Sequence, residues 1–264
     1  MRSASVGFQC VECVKQGAAT IRQPKAAYGG KARATPEVTY ALLGLNVLML
    51  LLTQGFRLGL FGGGSPSELF QKLALRPCVA LLPGSTCVTG FGGVADGDYY
   101  RLLTSTFLHF GLLHIALNMY CLFLLGPALE QALGRLRFGV LYLLSGLAGS
   151  ALSYALGPAN EMAAGASGAV FGLFAAYYVL ERRRGNDATQ ITATIAINLF
   201  FSFSVPGIDW RGHVGGLIGG ALVTAALVYP PLGRQRALLQ ALGCVGTAVL
   251  IGAVVVARTA QLTA

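Results

Sequence analysis

The sequence predicts an all-α protein that crosses a bilayer seven times, with its N-terminus in the cytoplasm. Three observations carry this. Hydrophobic residues make up 55% of the 264-residue chain and charged residues only 11%, with a mean hydropathy of +0.65, a balance that soluble domains do not show. Beyond residue 37 come seven apolar segments, each near the roughly 20 residues that cross the hydrocarbon core. Lysine and arginine also bunch in alternate connections. The 36 glycines fit the same class, since glycine lets membrane helices approach closely.

The N-terminal segment, residues 1–37, is basic and rich in Gly, Ala and Pro, with Lys15, Arg22, Lys25, Lys31 and Arg33. It lacks the apolar core of a signal peptide and reads as a mostly flexible cytoplasmic tail. Within it, Cys10-Val11-Glu12-Cys13 is a CxxC. Two thiolates at this spacing supply half of a tetrahedral zinc site. The tail has no second CxxC and no histidine, so Cys10 and Cys13 read as a reduced pair, as zinc candidates, or as the remaining half of a longer metal-binding module.

The predicted spans are 38–56, 109–129, 138–156, 167–180, 188–205, 213–229 and 238–257. With the N-terminus inside, the inner connections hold Arg135 and Arg137, then Arg182, Arg183 and Arg184, then Arg234 and Arg236. Outside lie Arg57, Lys72, Arg76, Arg101, Arg211 and Arg258, most of them spread through one long loop. The formal charge of +9 is therefore mainly an orientation signal, and no other feature supports nucleic-acid binding. The first outer loop, 57–108, is broken by Gly62-Gly63-Gly64, Pro66, Pro77 and Pro83, so short interfacial helices are expected over 69–75 and 79–82. Cys78 and Cys87 share this loop on the oxidising side, where a disulfide is permitted but pairing cannot be read from sequence.

The polar residues inside the spans fall at one depth. The chain has three histidines, His109, His114 and His213. His109 and His114 open the second span and His213 opens the sixth, all at the outer ends. Ser167, in the run Gly165-Ala166-Ser167-Gly168, opens the fourth span from the same side. Asn118 follows His114 by four residues and so shares its helix face. Burying such groups in a membrane is costly, which makes them functional candidates. A serine becomes a nucleophile when a histidine takes its proton. His114, Asn118 and the Ser167 amide at a helix start could stabilise an oxyanion. No acidic residue occupies a third-member position: Glu161 and Asp209 lie in outer loops, Glu130 and Glu181 at inner ends. The reading is a Ser–His dyad, beside the alternative that His and Asn are hydrogen-bonding links between helices. Gly168 and Gly172 in the fourth span, with Gly215, Gly216, Gly219 and Gly220 in the sixth, form small-residue faces that would bring His213 to Ser167.

At these residues the chain resembles the rhomboid intramembrane serine proteases. Gly165-Ala166-Ser167-Gly168 matches their GxSG motif, His213 with Gly216 and Gly220 their HxxGxxxG motif, and His109, His114 and Asn118 their HxxxxHxxxN signature. Tyr100-Arg101 resembles the aromatic-Arg pair of the first loop, and Glu130, Gly134 and Arg137 the end of the second span. The resemblance covers about residues 35–229. It implies a rhomboid-like six-helix bundle, core 38–229, plus a seventh C-terminal transmembrane helix at 238–257, within a transmembrane domain of 38–264. It further implies Ser167 as nucleophile, His213 as base, and His114, Asn118 and the Ser167 amide as oxyanion hole, without a cofactor. Phe171 stands where many members have Tyr; it keeps the ring and lacks the hydroxyl. The expected reaction is cleavage of transmembrane protein substrates in the lipid bilayer near its outer face, with the fifth span and the 204–210 loop as a moving gate. The alternative is a catalytically inactive rhomboid-like protein that binds or escorts membrane proteins. A transporter or receptor would not need these residues at one depth, and the chain lacks HExxH for a metalloprotease. Gly, Ala and Arg usage suggests a bacterial plasma membrane.

Overall fold

The computed structural model describes residues 2–3, 7–20, 26–29, 35–54, 59–60, 66–79, 87–88 and 90–264. Among these, seven helices of 16 residues or more dominate: α2 (Glu37–Gln54), α5 (Leu112–Leu133), α6 (Arg135–Leu156), α7 (Ser167–Arg184), α8 (Thr189–Ser204), α9 (Trp210–Val228) and α10 (Arg236–Thr263). Before them stand a two-stranded ribbon, β1 (Arg2–Ser3) with β2 (Phe8–Gln9), and a short helix α1 (Val11–Thr20). Between α2 and α5 lie α3 (Glu68–Leu73) and α4 (Arg101–Thr104). The protein is an all-α, multi-pass integral membrane protein. Five helices (α2, α5, α6, α9, α10) are long and apolar enough to cross a bilayer by length and composition. The other two are shorter or carry charge: α8 has 16 residues, and α7 ends in Arg182, Arg183 and Arg184.

Several boundaries differ from the sequence expectation for local reasons. The second long helix begins at Leu112, not His109, because Gly111 is fully extended (φ −170°, ψ 177°) and cannot continue a helix backwards. It also runs on past Pro127 to Leu133 and stops at Gly134, whose φ of +81° suits glycine. Of the expected short helices in the outer loop, the first is present as α3, capped by the Ser67 hydroxyl on the Phe70 amide. Over the second, Val79 pairs with Val88 as a bridge, and 80–82 lie outside the described residues. Cys78 and Cys87 form a disulfide.

The core is built by close backbone approach. Gly216 and Gly220 on α9 lie against Gly168 and Gly172 on α7, so closely that a Cβ on either would collide with the facing backbone. The opposite glycine face of α9 meets α6: a Cβ on Gly215 would stand 2.5 Å from the Ala148 carbonyl oxygen. One glycine-lined helix is thus wedged between two others, with Leu141, Tyr142, Leu173, Val223 and Leu227 filling the interior. At the far end, Glu130 on α5 accepts from the Val38 amide (3.0 Å), the Thr39 amide (2.8 Å) and the Thr39 hydroxyl (2.8 Å). These are first-turn donors of α2 that have no partner within their own helix. Helix α10 packs on α6 and α9. Its buried Gln240 accepts two bonds from the Arg137 guanidinium and donates to the Tyr28 and Leu227 carbonyls, which ties residues 26–29 to the bundle.

Candidate active site

Ser167 is the first residue of α7, and Ala166 before it caps no amide with its side chain. The first-turn N–H groups of α7 therefore point out of the helix end without intrahelical partners. The 157–166 loop that delivers Ser167 is held from the outer loop. Leu75 and Ala163 exchange two backbone bonds (3.0 and 2.9 Å), Cys78 N–H donates to the Ala159 carbonyl (3.2 Å), and Gly165 N–H donates to the Ser105 carbonyl (3.0 Å). The outer loop is fixed in turn by buried Arg101, which bonds Asp98 (2.9 Å) and the Gln71 (2.7 Å) and Ala74 (3.1 Å) carbonyls. Gly165 has φ +149°, and a Cβ there would stand 2.8 Å from His114 Nε2 and 3.5 Å from Ser167 Oγ. The missing side chain is what lets the His114 ring and the Ser167 hydroxyl face one small volume.

His213 lies in the first turn of α9. Its ring stacks on Phe171, with centroids 4.2 Å apart and planes 15° from parallel. Phe171 is one turn beyond Ser167 on α7, so the stack sets the imidazole against the helix face that carries the serine. The backbones of Gly149, Gly168 and Gly212 meet just behind: a Cβ on Gly149 would lie 2.7 Å from the Gly212 oxygen and 3.1 Å from the Gly168 Cα. Among the described residues no hydrogen bond joins Ser167 to His213; such bonds are often long before substrate binds. Asn118 is buried on α5 and donates from Nδ2 to the His114 carbonyl (2.9 Å), which leaves its second amide proton for another acceptor. His109 is fully buried before α5 and meets His114 edge-on at 5.0 Å.

Ser167, Gly165, Gly168, His114, Phe171 and His213 are thus gathered where three helices and a loop converge, while Gly216 and Gly220 hold α9 against α7 further along the helices and Asn118 lies one turn beyond His114. Cys10 and Cys13 belong elsewhere. Both are exposed free thiols at the start of α1, where the Cys13 and Glu12 amides draw the Cys10 thiol below its ordinary value. Among the described residues no third His, Cys, Asp or Glu joins them.

Two side chains at the site escaped the sequence reading. Ser202 on α8 lies 2.6 Å from His213 Nδ1; its signal was a polar residue at the outer end of an apolar span, at the depth already marked by His213. Asp209, read as a loop residue, lines a cavity of about 30 Å³ beside Ser167, together with Ser105, Ser150, Ser153 and Gly212. Its carboxylate is 3.9 Å from Arg211, which also reaches Glu161 at 3.6 Å. No spacing in the chain announces that cavity, because it is lined by five separate stretches, at Leu75, Ser105, 146–153, 163–168 and 209–212.

The rhomboid-domain family profile matches residues 96–230, the stretch that holds every residue of this site. Over 220 residues the chain is 36% identical to "Rhomboid protease GluP" of Bacillus subtilis, covering 81% of this chain and 39% of that protein. Over 143 residues it is 39% identical to "Putative rhomboid protease YdcA" of the same organism, covering 52% of this chain and 72% of that one. A plant relative, "RHOMBOID-like protein 4" of Arabidopsis thaliana, is 34% identical over 175 residues, which is 61% of this chain and 43% of the plant protein. The chain spans well under half the length of two of these three relatives. The helical bundle, the site built at the starts of α7 and α9, and these matches agree: this chain belongs to the rhomboid family.

Proposed function

We propose that the chain is an intramembrane serine endopeptidase that cleaves transmembrane segments of other membrane proteins near the outer face of a bacterial plasma membrane. The observation that carries this is the stacking of the His213 imidazole on Phe171, one turn from Ser167 at the open end of α7. In this reading His213 Nε2 takes the Ser167 proton as Oγ attacks the scissile carbonyl. The tetrahedral oxyanion accepts from the first-turn amides of α7, His114 and Asn118. Collapse breaks the C–N bond, and the departing amine takes the proton from His213. Water then attacks the acyl-serine, giving its proton to His213, and Ser167 is regenerated. The cavity beside Ser167 has the size and polar lining to hold that water.

The basic residues at the α5–α6, α7–α8 and α9–α10 connections support an N-terminus in the cytoplasm and a site near the opposite face. A substrate helix hides its carbonyls in its own hydrogen bonds, so it must unwind locally, and Gly or Pro near the cleavage point would ease this. Entry past α8 and the 204–210 loop fits the sparse packing of α8, whose Ile197, Phe200, Phe201 and Phe203 are exposed.

The test is labelling of the detergent-solubilised protein by a fluorophosphonate, comparing wild type with Ser167→Ala and His213→Ala. Label that appears in wild type and is lost in both variants supports the activated serine. A folded wild type that takes no label would leave a rhomboid-family binding or escort protein.

A further inference from the structure

We propose that Ser202 on α8 is a positioning residue that holds the His213 imidazole with Nδ1 protonated and Nε2 bare, the state a general base for Ser167 requires. This rests on the proposed function and adds to it a third member. Ser202 is buried (3% exposed). Its Oγ lies 2.6 Å from the Asn198 carbonyl oxygen and 2.6 Å from His213 Nδ1.

The assignment follows from counting protons. A hydroxyl has one proton and two lone pairs, whereas a peptide carbonyl can only accept. The contact to the Asn198 carbonyl therefore uses the Ser202 proton, in the back-bond that serine makes to the preceding helical turn. The contact to His213 must then run the other way, with Nδ1–H donating to a Ser202 lone pair. A neutral imidazole carries one N–H, so Nε2 is left as the acceptor. The opposite tautomer would need the same hydroxyl proton in two places, or would leave two oxygens at 2.6 Å with no proton between them.

In serine hydrolases with a full triad, a carboxylate fixes this tautomer and stabilises the imidazolium. Among the described residues no carboxylate is hydrogen-bonded to His213. A neutral hydroxyl fixes the tautomer equally well and stabilises the charged form less. Ser202 also sits on α8, one residue before Phe203, which packs on Trp210 at the start of α9 with ring centroids 5.1 Å apart. The acceptor of the base is thus carried by the helix that packs most loosely in the bundle.

The experiment combines a spectrum that needs no activity with a rate. The chain has only three histidines, so ¹⁵N-histidine NMR of the full-length protein in micelles is assignable by single substitutions. Wild type should show His213 with protonated Nδ1 and bare Nε2. Ser202→Ala should give mixed tautomers and lower the maximal fluorophosphonate labelling rate about tenfold, as loss of one hydrogen bond would, with the half-saturating probe concentration unchanged. Ser202→Thr, which keeps the hydroxyl, should restore both. The proposal is overturned by an Nε2–H tautomer in wild type, or by Ser202→Ala with wild-type spectrum and rate. If Ser202→Ala does not fold, the wild-type and Ser202→Thr spectra still decide it. A wild type that shows the Nδ1–H tautomer yet takes no label would uphold the hydrogen bond and remove the serine-hydrolase reading instead.

Discussion

At Gly165 a single hydrogen atom stands where any other residue would place a methyl group 2.8 Å from His114 Nε2. Gly165→Ala should therefore push the His114 ring out of the volume it shares with Ser167, besides straining a positive φ. If His114 donates to the oxyanion, fluorophosphonate labelling should fall about 100-fold, the scale of losing one such donor, while the thermal transition moves only modestly. A labelling rate equal to wild type would remove His114 from the oxyanion hole. Phe171 makes a different contribution. Its ring is nearly parallel to His213, and Phe171→Ala would free the imidazole to turn. Labelling by Phe171→Ala should drop, and Phe171→Tyr should keep the stack and with it most of the rate.

Among the helices, the α7–α9 contact is set by glycine and the α2–α5 contact by a carboxylate. Gly216→Ala would drive a methyl group into the Gly168 carbonyl. Backbone cannot yield as a flexible side chain does, so the helices must separate, at a cost of about 1–3 kcal/mol typical of overpacking. The melting temperature should fall, and labelling should fall with it because His213 and Ser167 move apart. Glu130 should behave differently. Glu130→Ala leaves the Val38 and Thr39 donors of α2 without their acceptor, costing about 2–3 kcal/mol for charge-assisted bonds. That loss should appear in thermal unfolding, with little change in the labelling rate of the protein that remains folded. Equal losses of both would mean that α2 supports the site more directly than its packing indicates.

For the molecule as a whole, the outer loop acts as a clamp on the loop that carries Ser167. The Cys78–Cys87 disulfide closes part of that clamp, next to the Cys78 N–H bond to Ala159. Reduction should cost about 2–3 kcal/mol by the loop-closure estimate, read as a lower melting temperature in reductant that Cys78→Ser/Cys87→Ser reproduces. Entry of substrate past α8 is testable at this scale. A cross-link pinning α8 to α5 should block cleavage of a membrane-embedded substrate while a small fluorophosphonate still labels Ser167. Unimpaired cleavage by the cross-linked protein would exclude this gate.

Chain order and composition alone were enough to read the class of the protein and to nominate most residues of the candidate site. Bilayer thickness imposes a length on apolar runs, so the long helices were legible. Burial of polar groups in lipid is costly enough that Ser167, His114, Asn118 and His213 stood out at one depth, and small-residue spacing pointed to the α7–α9 contact. Helix ends were less legible: an extended Gly111 moved the start of α5, and the helix ran past the expected end at 129 to Leu133, because packing outweighs local propensity. The side chains that surround the candidate site from other segments emerged from the fold instead. Ser202 reaches His213 from another helix, Asp209 turns into the cavity beside Ser167, and Cys78 pairs with Cys87. Each depends on the distance between segments that the chain order does not specify, and a hydrogen bond or a disulfide forms only when that distance is right to within a fraction of an ångström.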